Sequence, residues 1–364
     1  MDIYMYWLST LYWVGSRRQN RLLKHFGSAK EIYDATPEAL RSVPGFTEYH
    51  AHSIEKSRNP DKIKAGLAKL QQMDISFTHL DNMDYPVLLK EIPDPPVGLF
   101  YLGDLPDSAM PHVSIIGSRR CSEYGLTVAR RFGKMLAQQG VVVVSGMARG
   151  IDSMAHRGAI EPKNGLTIAV LGCGIDICYP AENRQLRDDI AKKGCVLSEY
   201  PPGTKALPHH FPARNRIISG LSQILIVVEA GKKSGTLITV DQALDQGRDV
   251  MAVPGNITNK YSDGTNALIK QGADPVCNYE DVLHMLGITD NKNKSKEHNL
   301  NKAKPDIASN EKLVYDVLTS RAHTLDEIVI KTNSKPQTIQ YILTMLELKG
   351  YVKKLPGMKY VRGE

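Results

Sequence analysis

Apolar positions divide the chain into stretches of different period. Over residues 1–80 they recur at helical spacing, with Leu22, Leu23, Phe26, Ile32 and Tyr33 in register. Turn residues punctuate them at Gly27-Ser28, Thr36-Pro37 and Pro44-Gly45, so a helical domain is expected. The stretch from Leu40 to Thr47 reads as a helix-hairpin-helix turn, whose backbone N–H groups meet a phosphate, or equally as a corner that only packs. A Pro-rich connection follows at Ile92-Pro93-Asp94-Pro95-Pro96-Val97. From 110 to 287 the period changes to short β-branched runs, at 113–116, 141–144, 168–171, 195–197, 224–228 and 250–253. They are apolar on both faces and alternate with amphipathic helices, as in a parallel sheet covered on both sides. The first such helix carries Val128, Phe132, Met135 and Leu136 on one stripe and ends at Gly140. Strand–helix units in series predict an α/β fold, a doubly wound, Rossmann-like parallel sheet over 81–289 with its core at 110–287.

Residues 290–306 are polar and rich in Lys and Asn, which predicts a flexible linker. Over 307–364 come three helical stripes, marked by Leu313, Val314, Val317 and Leu318, by Leu325, Ile328 and Val329, and by Thr338, Ile339, Ile342, Leu343 and Leu346. A hairpin with turn residues Pro356-Gly357 closes the chain, giving the pattern of a winged helix. Such modules dock on duplex DNA through the third helix. Here that helix has few cations, and a protein contact is an equal reading.

Composition narrows the partners. The 364 residues are 42% hydrophobic and 23% charged, enough for several packed domains. Lys plus Arg number 46 against 39 Asp plus Glu, a net charge of +7 that suits a polyanion without identifying one. No apolar run reaches the roughly 20 residues of a membrane span. The N-terminus carries Asp2 and lacks a basic leader, which argues against secretion. Five cysteines without a CxxC pair argue against a disulfide framework or a zinc site. A reduced, cytoplasmic protein without metal or cofactor is expected.

Ligands of such sheets sit at the carboxyl ends of the strands. The first strand ends in Gly117-Ser118-Arg119-Arg120, where Gly117 permits close approach, Ser118 offers a hydroxyl and Arg119 a bidentate phosphate grip. Ser122 then caps the next helix. The second strand leads into Ser145-Gly146-Met147-Ala148-Arg149-Gly150-Ile151-Asp152, the fifth into Glu229 and Ser234-Gly235-Thr236. Three anion-friendly turns therefore share one sheet edge. The dinucleotide fingerprint fails, because no GxGxxG follows the first strand and no acidic residue ends the second; the P-loop pattern is absent too. In Phe211-Pro212-Ala213-Arg214-Asn215-Arg216, Pro212 suits a first helical turn. That would set Arg214, Asn215 and Arg216 at the positive end of the helix, where two guanidiniums call for an anion. Phe211 would offer a stacking face to a base. The alternative is that Phe211 anchors the helix and an arginine pairs with Glu199 or Glu229. Neither GxSxG nor HExxH occurs. Asp152 and His156 read as an N-cap with an incidental histidine, His209 and His210 point apart, and Cys173 and Cys178 read as packing residues. The chemistry is that of binding.

The ordered motifs GSRR, SGMARGIDSMAH, GCGIDICYP, LSEYPPG, FPARNRIISGLS, EAGKKSGTLIT, DQALDQGRDVMAVPG and DGTNALIKQGA over about 110–275 resemble the DNA-processing protein A family, DprA, also called Smf. The resemblance implies a SAM-like domain at 1–80 and a winged-helix domain at 307–364. It implies a non-catalytic homodimer that binds single-stranded DNA without base-specific readout. Such a protein protects incoming strands in natural transformation, loads RecA on them and sometimes displaces single-strand-binding protein. By position, Arg119 matches the family's phosphate-gripping arginine, Phe211 its base-contacting aromatic, and Gly117 and Ser118 its phosphate turn. Arg214, Asn215 and Ser219 match the RNRIISGL helix, and Ser234, Gly235 and Thr236 the SG[ST] turn. Many members have a lysine three residues before Phe211, where this chain has Pro208; Lys205 or His209 would have to substitute. Helix 237–246, with Asp241 and Asp245, is the candidate face for RecA. Two rivals remain: a phosphoribohydrolase-type nucleotide enzyme, whose glutamate is missing after Ser234-Gly235-Thr236, and a winged-helix regulator.

Overall fold

Nine strands form one sheet among the described residues of the structure, a computed structural model that describes residues 2–288, 309–318, 323–332, 334–349, 351–355 and 359–362. The sheet opens with β1 (Ser76–His79) and β2 (Gly98–Gly103). The six β-branched runs follow as β3 (His112–Ile116), β4 (Val142–Ser145), β5 (Thr167–Leu171), β6 (Cys195–Ser198), β7 (Ile224–Val227) and β8 (Asp249–Ala252); the two-residue β9 (Asp274–Pro275) closes it. The spatial order is β1-β2-β6-β5-β4-β3-β7-β8-β9.

The expectation of a wholly parallel sheet needs correction. β3 to β9 run parallel, whereas β2 pairs antiparallel with β6 and β1 antiparallel with β2. A parallel neighbour requires a crossover element across one sheet face. The Pro-rich connection from β1 to β2 holds only the four-residue helix Val87–Lys90, so the chain doubles back. β1 also lies inside the stretch expected to be helical.

The central strands are buried on both faces, and alternate residues feed two cores. Val142, Val144, Ile168 and Leu225 pack against Ile217, Ile218, Leu221 and Val240 on one side. Val113, Ile115, Val143 and Ile226 meet Phe132, Leu136, Ile151 and Ala155 on the other. The helix Glu123–Gln138 starts as expected, the Ser122 hydroxyl accepting from the Gly125 N–H at 3.1 Å. Its buried stripe is centred on Ala129, Phe132, Gly133 and Leu136, with Val128 and Met135 at the margins. Small residues occupy the middle because the helix Ile151–Ala159 crosses there: a Cβ on Gly133 would meet the Ala155 carbonyl, and one on Gly158 the Arg130 carbonyl.

The N-terminal helices Ile3–Thr10, Ser16–Phe26, Ala29–Asp34, Pro37–Ser42 and Glu48–Ser57 enclose Trp7, Leu8, Leu22, Ile32, Leu40 and Ile54. Leu22 and Ile32 of the expected stripe are fully buried; Leu23, Phe26 and Tyr33 are partly so. Between Pro37–Ser42 and Glu48–Ser57 the chain turns through Gly45 at φ +85°.

The chain divides into two compact units, Met1–Thr289 and Asp290–Glu364. In the second, the helices Ser309–Val317, Leu325–Thr332 and Pro336–Leu348 surround Val314, Ile328, Ile339, Leu343 and Leu346. A sheet of order β10-β12-β11 accompanies them: β10 (His323–Thr324), β11 (Val352–Leu355) and β12 (Lys359–Arg362). Leu313 of the expected first stripe is instead 55% exposed. The expected linker 290–306 and the turn Pro356-Gly357 lie outside the described residues. Among the described residues no helix is long and apolar enough to cross a membrane.

Candidate nucleic-acid interface

Strand order reverses beside β3: the chain builds β4, β5 and β6 to one side of it, then crosses to β7 on the other. A crevice is expected there, outside the carboxyl ends of β3 and β7. The two loops are tied together, the Ser118 N–H donating to the Glu229 carbonyl at 2.8 Å. A cleft of about 510 Å³ opens at this point. Of the residues singled out in the sequence it gathers Gly117, Arg119, Phe211, Arg214, Asn215, Ser234, Gly235 and Thr236 along its walls, with Gly146 in a recess beside it.

The open side of the cleft is cationic and aromatic. Arg119 is exposed, and its guanidinium carbon lies 5.3 Å from the centre of the Phe211 ring. Tyr179, 46% exposed, tilts against Phe211 with ring centres 5.2 Å apart. Behind Phe211 stands Gly172, where an added Cβ would come within 2.9 Å of the ring. The glycine after β5 thus makes room for the aromatic. On the opposite wall the helix Thr236–Asp245 starts at the cleft with Gly235 as its N-cap residue. The Ser234 hydroxyl donates to Thr236 Oγ1 at 2.9 Å and accepts from the Thr236 N–H at 3.3 Å, which fixes the turn. The positive end of a ten-residue helix favours an anion there.

Arg214 forms the floor. It is 3% exposed and donates to the Gly146 carbonyl at 2.9 Å and to the Val170 carbonyl, binding the ends of β4 and β5 to its helix. Its Nε donates to Asn215 Oδ1 at 3.2 Å. Burial, more than any neighbour, brings its pKa down to about 10, so it stays protonated at neutral pH. Asp152 lies deep in the same cleft; burial raises its pKa, and the charge of Arg214 works against that rise. Arg214 and Asp152 offset one another at the floor, and the excess positive charge of the cleft comes from Arg119 at its mouth.

Several expected site residues are placed elsewhere. Arg216 is turned to the other flank of its helix and bound by Glu199 at 2.6 Å and by Asp94 at 3.5 Å. The pairing with Glu199 weighed in the sequence is therefore the actual one, and Glu229 serves differently, holding the Ser122 N–H at 2.8 Å and its hydroxyl at 2.5 Å. Ser145 is buried and donates to the Ile115 carbonyl, and Ser219 is buried against Asn215 and Arg216 carbonyls of its own helix. Gly150, at φ +80°, begins the helix Ile151–Ala159 beside the Ser118 and Arg119 carbonyls without lining the cleft. Ser118, expected to offer its hydroxyl, is not among the residues lining the cleft; its N–H is held by the Glu229 carbonyl. Lys205 is exposed but does not reach the cleft wall, where Pro208 itself stands. His209 lines a different groove.

The helix also begins earlier than Pro212 implied. It runs His210–Gly220, so Arg214 and Asn215 occupy its second turn and cannot cap its start. Asp152 is likewise not an N-cap; that place belongs to Gly150. His156 is fully buried, donating through Nδ1 to Thr167 Oγ1 at 2.7 Å, whose hydrogen goes to the Val143 carbonyl. Burial depresses its pKa to about 3, so it is a neutral core residue. The rings of His209 and His210, expected to point apart, instead meet edge to face with centres 4.5 Å apart and line the same groove. Tyr179 is the functional candidate that the sequence reading passed over. Its signal was an aromatic in the Gly-rich loop after a central strand. Among the described residues no three His, Cys, Asp or Glu side chains gather as a metal site requires.

Residues 76–287 match the family described as DNA recombination-mediator protein A, and residues 299–358 match the DprA winged helix domain. Protein Smf of a Synechocystis species is 35% identical over 391 aligned residues, covering 98% of each chain. DNA processing protein DprA of Streptococcus pneumoniae is 47% identical over 219 residues, 60% of this chain and 77% of its own. The X-ray structure of DprA from Streptococcus pneumoniae superposes with a TM-score of 0.69 at 35% identity, covering 78% of this chain and 98% of that one. A structure of DNA processing protein A from Helicobacter pylori, concerned with that protein's single-stranded DNA binding mode, gives 0.52 at 32% identity, over 58% of this chain and 95% of its own.

Proposed function

We propose, from the premise that this chain belongs to the DNA recombination-mediator protein A family, DprA/Smf, that its switch-point cleft holds single-stranded DNA without reading the sequence. The observation that carries this is the exposed Arg119 lying over the half-buried ring of Phe211, flanked by Tyr179, at the mouth of a cleft with two arginines against one acid. A phosphate seated between Arg119 and the start of helix Thr236–Asp245 would leave its base beside two aromatic faces. Stacking accepts any base, and it requires an unpaired one. The strand would thus be held by charge and stacking, with no hydrogen-bond readout.

On the same reading the protein does no chemistry on the strand. It shields DNA during transformation and recombination, passes it to RecA, exchanges it with single-strand-binding protein, and works as a homodimer in the cytoplasm. The exposed Asp241 and Asp245 of helix Thr236–Asp245 are the proposed acidic contacts for RecA. The phosphoribohydrolase alternative lacks its acid–base glutamate, and the only acid of this cleft among its described lining residues, Asp152, is buried at its base. The regulator alternative is weakened by the helix Pro336–Leu348, which contains neither Lys nor Arg.

Competition distinguishes the readings. A labelled single-stranded oligonucleotide bound to the full chain should resist an excess of unlabelled duplex of the same sequence, yet be displaced by unlabelled single strands. Displacement by one particular duplex in preference to single strands would support the regulator.

A further inference from the structure

A second groove, of about 780 Å³, runs along the other flank of helix His210–Gly220. Its far wall is the helix Ser16–Phe26, which presents Arg17, Arg18 and Arg21. With Arg216 these make four guanidiniums against two carboxylates, Asp94 and Glu199, among the described lining residues. Arg216 is 6% exposed, and its Nη1 is buried without a hydrogen-bond partner although its other nitrogens face the acids. A buried guanidinium N–H that no protein atom accepts is costly unless a ligand oxygen or water reaches it. Two aromatic side chains, Tyr12 at 37% and Trp13 at 41% exposure, stand at the same groove. Cations, a buried donor without an acceptor and exposed rings together are the equipment of a polynucleotide channel.

The two grooves are neighbours on one segment. Pro208 lines the cleft at Arg119, while Leu207 and His209 on either side of it line the second groove. A strand leaving the cleft over residues 207–209 therefore enters the second groove directly. We propose that this groove is a second station for the same single strand, with Arg17, Arg18 and Arg216 facing its phosphates and Trp13 its bases. The proposal rests on the reading of the Arg119 cleft as the first station. It gives the N-terminal helices a direct part in DNA binding, and it gives a phosphate-facing role to Arg216, which lies outside the first cleft.

The chain's two tryptophans make the groove observable, because Trp7 is fully buried and Trp13 is not. Oligothymidylates of about 6 and about 20 nucleotides are titrated into the full chain, following anisotropy and tryptophan emission. Both should bind, and only the longer should quench the emission, a signal that Trp13→Phe abolishes. Arg17→Ala combined with Arg18→Ala, both exposed positions, should weaken the longer oligonucleotide by about tenfold and leave the shorter unchanged. If both lengths bind while the emission stays constant and the double variant matches the parent, the second station is overturned and the first stands. If neither length binds, the first station fails and the second with it.

Discussion

Phe211→Ala is expected to weaken binding of a single-stranded oligonucleotide by about 1–3 kcal/mol, a factor of about 5 to about 150 in Kd. The half-buried ring lines the cleft against Tyr179 and under Arg119, so truncation removes the aromatic surface and the support of the guanidinium together. Phe211→Tyr keeps the face and should retain most of the affinity. Phe211→Leu keeps much of the bulk that fills the space over Gly172 but no π-face, and should behave like alanine in binding while melting close to the parent. Anisotropy titrations with the three variants make the comparison. An alanine variant that binds within twofold of the parent would reduce Phe211 to the packing anchor of its helix.

Arg214 is expected to show its largest effect on folding. Its guanidinium satisfies the Gly146 and Val170 carbonyls, both buried, and supplies the positive charge closest in influence to the buried Asp152. Arg214→Ala orphans two acceptors at about 1–3 kcal/mol each and removes the cation that offsets Asp152. A loss of about 3 kcal/mol or more follows, seen as a lower urea midpoint with an unchanged slope. Arg214→Lys should fall in the same direction, because a point charge cannot fork to both carbonyls. Arg119→Ala, at an exposed position, should leave the midpoint in place. An alanine variant at 214 with full stability and lost DNA affinity would instead make Arg214 a direct phosphate contact.

The two arginines show where sequence reasoning succeeded and where it could not. Arg119 was legible because its role is local: it follows a strand and a glycine at the sheet edge. Arg214 and Arg216 are two residues apart and looked alike. Their separate fates depend on partners 17 to 122 positions away, Glu199 and Asp94 for one, Gly146 and Val170 for the other. Helical geometry put them on opposite flanks, and no local pattern reveals what stands there. The six central strands were legible because burial on both faces leaves a continuous apolar run. β1 and β2 were not, since Ser76-Phe77-Thr78-His79 carries too short an alternation to separate from the helices before it. The stripe of helix Glu123–Gln138 was read from its large residues, but close helix crossing places glycine at its centre, and a hydrophobic pattern does not register a residue selected for having no side chain.

In the proposed function the cleft mouth grips a bare strand by its phosphates, and salt dependence measures that grip. The parent chain and Arg119→Ala are titrated with one single-stranded oligonucleotide between about 50 and about 200 mM salt. The parent's log affinity should fall linearly with log salt, and the variant should bind more weakly with a slope shallower by about 0.7, one phosphate's share on a single strand. Equal affinity and equal slope for the two proteins would contradict it.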